Sequence, residues 1–213
     1  MDAKKLKSLL KSNRESITLD HAVRIHRAIS WLKCAEDIKD NLDLQFISLW
    51  ISFNSCYAVL NKGELLSERD SFSEFIKKLV KYDTEGRFFY LLWNQFSGPV
   101  RLLVGNKYVF KPYWDFHRGD IKDWKKQYDK SVSDSMKFLS AKNVEGLLEM
   151  VLDRLYTLRN QLMHGGATFK SDINRSQVKD GNKMLSLLIP LIIEIMLLNK
   201  DEDWGKIYYP VTE

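Results

Sequence analysis

At 213 residues, with 45% hydrophobic and 29% charged side chains, the chain has the make-up of an ordinary soluble globular protein: one domain, or one domain carrying a large insertion. A net charge of +5 and a pI near 9.0 permit a polyanionic partner without requiring one. The two cysteines, Cys34 and Cys56, lie far apart with no paired spacing, which argues against a disulfide framework or a cysteine-built zinc site and for a reduced compartment.

Residues 1–16 are lysine-rich and weakly amphipathic, and read as a frayed helix or a surface arm. They lack an apolar stretch of signal-peptide length, so the chain is expected in the cytoplasm. A helix capped by Asp20 is expected to about residue 39, with Ile25, Ala28, Ile29, Leu32 and Ala35 on its apolar face and His21 and His26 on its charged, exposed side. Residues 44–60 form a stronger helix whose apolar side is Phe46, Leu49, Trp50, Phe53, Tyr57 and Leu60. Asn54 and Tyr57 bring polar tips to it, either toward a functional surface or to satisfy one another and the backbone.

Residues 61–142 read as an insertion. One helix starts at Asp70 or Ser71 and runs through Val80; another starts at Thr84 and runs through Phe96, where Gly98-Pro99 breaks it. Residues 100–119 look least helical, and the Gly105-Asn106 pair suggests a short hairpin or an irregular loop. This stretch interleaves cations with aromatics: Lys107, Lys111 and Arg118 among Tyr108, Tyr113 and Trp114. Single-stranded RNA is held by such surfaces, with bases on the rings and phosphates on the cations; equally, the rings can pack the insertion onto the core. A charged helix follows over residues 120–139.

Residues 143–164 read as one amphipathic helix, with Asn143 as N-cap and Gly165 free to take the left-handed conformation that ends helices. Its core stripe is Val144, Leu147, Leu148, Val151, Leu155, Leu158 and Leu162. Tyr156, Asn160 and His164, stepping by four, form a ridge on the other side, with Arg159 on its flank. The last helix, about residues 175–199, contains a fifteen-residue run that is apolar nearly all round. A bilayer core needs about 20 such residues, and Pro190 and Glu194 interrupt this run, so a buried central helix with a kink near Pro190 is expected and no membrane span.

An arginine supplies a planar fork of donors suited to phosphate, and a histidine titrates near neutrality. Together they suit RNA cleavage without a metal or other cofactor, because RNA carries its own nucleophile in the 2′-hydroxyl. A full cycle is easier with two histidines, which a homodimer with a shared site would bring.

The Arg-Asn-x-x-x-His string of Arg159, Asn160 and His164 resembles the signature of the HEPN superfamily. The string Leu49-Trp50-Ile51-Ser52-Phe53-Asn54-Ser55-Cys56-Tyr57 is similar to the first core helix of its Apea-like branch, and Trp204-Gly205-Lys206-Ile207-Tyr208-Tyr209-Pro210 to that branch's tail. The resemblance implies an all-α helical bundle, here one domain over residues 1–213 with a mostly helical insertion at about 61–142. It also implies that Arg159 and His164 are a catalytic pair in a metal-independent endoribonuclease, with Asn160 and Tyr156 supporting. Some members instead bind RNA, nucleotides or a cognate protein partner of a defence or toxin-antitoxin system without cutting anything.

Overall fold

The structure, a computed structural model, describes residues 1–58, 68–95 and 97–212. Among the described residues the protein is 74% helical, with no strand. The helices are α1 (Ala3–Ser12), α2 (Leu19–Asp37), α3 (Leu42–Tyr57), α4 (Glu68–Tyr82), α5 (Arg87–Tyr90), α6 (Ser97–Val104), α7 (Lys111–Arg118), α8 (Lys125–Ser140), α9 (Val144–Met163) and α10 (Arg175–Leu198). The chain divides into two compact units, one of Met1–Glu85 with Asn182–Glu213, the other of Gly86–Gly181, and the boundary at 181/182 falls within α10. Leu60 and Phe96, expected at helix ends, and the expected start of an insertion at about residue 61 lie outside the described residues.

In the first unit α2 and α3 pair antiparallel. Ser52 Oγ donates to Ala28 O (2.7 Å) and Gln45 Nε2 to Ala35 O (3.2 Å), so buried polar groups on one helix are satisfied by the other's backbone. Thr18, two residues before the expected Asp20, caps α2 by accepting from His21 N–H, while Asp20 sits in the first turn, where an anion suits the helix dipole. The N-terminal stretch is a packed helix: Asp2 caps α1, and Ala3, Leu6 and Leu10 are buried along its contact with α2.

His21, expected on an exposed face, is buried. Its Nε2 lies 3.1 Å from Met196 O of α10 and its ring stacks on Trp204. Arg24 is buried beside it and donates to the carbonyls of Trp204 and Gly205. Trp204 also meets Phe75 and Tyr82, so the C-terminal tail closes over α2 and α4. Tyr57 packs on Phe53, Phe72 and Phe75, which gives it a core role. Cys56 is fully enclosed, and burial pushes its thiol up to about 12.

By length and composition α10 could cross a membrane, yet 72% of its most apolar window is buried within the fold. It runs through Pro190 as one helix, with Leu185, Leu188, Ile189 and Ile192 fully inside.

In the second unit the expected loop or hairpin at residues 100–119 is helical. Gly98-Pro99 opens α6 instead of ending a helix, because a first-turn proline gives up only an N–H that has no intrahelical partner. Asn106 caps a 3₁₀ turn at Lys107–Val109 by accepting from Tyr108 N–H (2.9 Å), and Pro112 lies in the first turn of α7. Gly119, at φ +87°, ends α7. On α9, Gly146 allows close approach to α8: a Cβ there would stand 2.9 Å from the Phe138 ring.

Candidate functional site

α9 carries the Arg-Asn-x-x-x-His string to its C-terminal end. Of the expected stripe, Leu147, Leu148, Val151, Leu155 and Leu158 are buried, while Val144 and Leu162 at its two ends are half-buried; Tyr156, Arg159 and Asn160 are half-buried too, and His164 is exposed. His164 is the C-cap. Gly165 follows at φ +71°, and Gly166 N–H bonds back to Gln161 O (2.7 Å), the outer hydrogen bond of a Schellman ending. The last turn is thereby fixed where the imidazole leaves the helix.

Asn160 connects the two expected catalytic residues. Its Oδ1 accepts from Arg159 Nη1 (2.8 Å), and its backbone carbonyl accepts from His164 N–H (3.0 Å). One residue thus holds the guanidinium by its side chain and the histidine backbone by its main chain. The imidazole itself makes no hydrogen bond among the described residues, which leaves both ring nitrogens for a ligand.

The basic and aromatic stretch of the second unit lies against the same end of α9. Tyr108 O accepts from Trp114 Nε1 (2.8 Å) and also from Gln161 Nε2, inside the motif. The rings form a chain: Tyr113 meets Tyr108 (5.5 Å), Trp114 (5.2 Å) and Trp124 (4.9 Å), and Lys107 Nζ stands over Tyr108 and Tyr113. Tyr108 is exposed while Trp114 is half-buried, so the cluster both packs and presents a ring.

Of the four expected RNA contacts, two are already paired. Lys111 Nζ meets Asp115 Oδ2 (2.7 Å), and Arg118 bonds both Asp115 and Asp120. Two carboxylates balance these two cations, and of the three expected cations Lys107 alone makes no ion pair among the described residues.

Sequence reasoning passed over Gln161, Asp115 and Arg154. Arg154 sits within the apolar stripe and is almost wholly buried. Its guanidinium lies 4.3 Å from the Phe110 ring centroid and donates to Ser131 Oγ (2.7 Å), and burial pushes its pKa below the ordinary value. An arginine between Leu147 and Leu158 on a leucine face is the signal that would have found it.

Among the described residues no three His, Cys, Asp or Glu side chains gather as a group able to hold a metal ion. No family model matches the chain, and no curated protein or solved structure matches it.

Proposed function

We propose that the protein is a cytoplasmic, metal-independent endoribonuclease of the HEPN kind, acting as a homodimer on single-stranded RNA. His164 takes the proton of a 2′-hydroxyl, whose oxygen attacks the adjacent phosphorus. Arg159 stabilises the phosphorane, and the 5′-oxygen leaves with a proton from His164 of the partner subunit. The products carry a 2′,3′-cyclic phosphate and a 5′-hydroxyl. Asn160 and Tyr156 position the pair, and Lys107, Tyr108 and Trp114 receive the strand beside it.

The observation that carries this reading is the double link through Asn160, which ties a phosphate-binding fork to an unengaged imidazole at a rigid helix end. Two further features support it. Gln161 and Trp114 share the Tyr108 carbonyl, which joins motif and aromatic cluster in one surface. Met163, within the motif, and Phe169 and Ile173, shortly after it in the chain, are exposed apolar side chains that a second copy would cover.

The test is incubation of labelled single-stranded RNA with the protein in EDTA, reading the product ends. Wild type should give cyclic-phosphate ends, His164→Ala none, and Arg159→Ala a rate lower by about 10²- to 10³-fold. Asn160→Ala should lower the rate by roughly tenfold at unchanged product chemistry. Cleavage that survives His164→Ala, or that EDTA abolishes, overturns the mechanism.

The pairing of Lys111 and Arg118 with carboxylates takes two cations away from a strand, and so favours a second reading, a HEPN module that holds a nucleotide or a cognate protein without cutting. In that case Arg159→Ala weakens binding and no cleavage appears under any condition.

A further inference from the structure

The first unit carries a groove of about 670 Å³ on the side of α1 and α2, away from the His164 motif in sequence. Lys4, Lys7, Lys11, Arg14 and Arg27 line it, and among the described residues no carboxylate does. None of these five cations makes an ion pair among the described residues, in contrast with Lys111 and Arg118. Arg27 spends one N–H on Tyr209 O (2.7 Å), which fixes the tail so that Val211 forms a wall. The floor is apolar, made by Leu10, Ala22 and Val23, and the exposed imidazole of His26 borders it.

Spacing selects the kind of occupant. Lys4, Lys7 and Lys11 step by three and four along one face of α1, a row of charge roughly 10 Å long at 1.5 Å per residue, which Arg14 extends. A row suits a linear polyanion better than a compact one. A basic amphipathic helix can also lie on an anionic membrane, but only with its apolar face free to enter the lipid. Here Ala3, Leu6 and Leu10 are already buried along the contact with α2. The apolar floor and the imidazole offer a surface to unstacked bases, which a duplex keeps inside.

We propose that this groove binds the backbone of single-stranded nucleic acid, with phosphates along Lys4, Lys7 and Lys11 and bases against the floor. The groove belongs to one compact unit and the His164 motif to the other, and binding here does not depend on cleavage there.

Single-stranded DNA tests it without interference from cleavage, since it lacks the 2′-hydroxyl. The measurement is fluorescence anisotropy of a labelled oligonucleotide of about twelve nucleotides against salt concentration. For single strands the slope of log affinity on log salt is about −0.7 per phosphate neutralised, so the triple variant Lys4→Ala/Lys7→Ala/Lys11→Ala should flatten it by about two and weaken binding at least tenfold at low salt. The corresponding triple arginine variant should bind as wild type does. Single Lys7→Ala, a flattening of about 0.7, serves if the triple variant does not fold.

An unchanged slope in a folded triple variant overturns the proposal. So does equal affinity for inorganic triphosphate, which marks a compact site, or loss of phosphatidylserine-vesicle binding with oligonucleotide binding intact. A protein that cleaves RNA while its oligonucleotide binding ignores these lysines refutes the groove and leaves the active-site reading standing; the opposite result refutes cleavage alone.

Discussion

At the scale of single residues, His21 shows how a contact distant in sequence sets the behaviour of a side chain. Its Nε2 meets the Met196 carbonyl, while Nδ1 is buried with no hydrogen-bond partner among the described residues. Adding a proton would create a buried cation and a donor without an acceptor, and burial accordingly lowers its pKa from the ordinary 6.5. Below that value the unfolded chain binds more protons than the folded one, so stability is full above about pH 6.5 and declines as pH falls toward the lowered folded value. His21→Gln keeps a donor for Met196 O and does not titrate. Urea unfolding at about pH 7.5 and 5.5 should show a smaller acid loss in the variant than in wild type. The sequence placed Arg159, Asn160 and His164 on the correct side of their helix, because helical period alone decides that. It misplaced His21, because what covers it comes from residues beyond 190.

Elements were legible where period and caps agreed. α9 was expected at residues 143–164 with Asn143 and Gly165 at its ends, and Asn143 does accept from Gly146 N–H while Gly165 does take a positive φ. Residues 98–119 misled because Gly98-Pro99 and Gly105-Asn106 read as turn chemistry, whereas Pro99 lies in the first turn of α6 and Asn106 caps a 3₁₀ turn, and only packing chooses between the two uses. The basic face of α1 was written in the three-four spacing of its lysines, but a helix that short is stable only when packed, and its packing partner was invisible.

The C-terminal end of α9 makes a prediction of its own. Among the described residues, none outside its chain neighbours comes within 4 Å of a Cβ built on Gly165, so a side chain there meets the backbone penalty of a left-handed residue. Gly165→Ala should cost about 1–2 kcal/mol and Gly165→Asn less, read as a fall in thermal midpoint.

At the scale of the whole molecule, a short tail holds the first unit together. Trp204 is buried against His21, Phe75 and Tyr82, its Nε1 donates to Asn199 O (3.0 Å), and Arg24 binds its carbonyl. Trp204→Ala should cost about 3–5 kcal/mol in urea unfolding, whereas Trp204→Phe should cost less because the aromatic packing is partly kept. The tail's contacts were hidden in the sequence because a tryptophan followed by glycine near a terminus has no period to read.

The first unit is built from both ends of the chain, while Gly86–Gly181 is continuous. On the ribosome, α2 and α3 emerge well before the residues that cover His21 and Arg24. At about 5–20 residues per second, the intervening stretch alone takes roughly 5 to 20 s to synthesise. For that interval the nascent N-terminal helices expose an apolar face that the finished protein never shows, and a chain stalled before α10 is a natural client for chaperones.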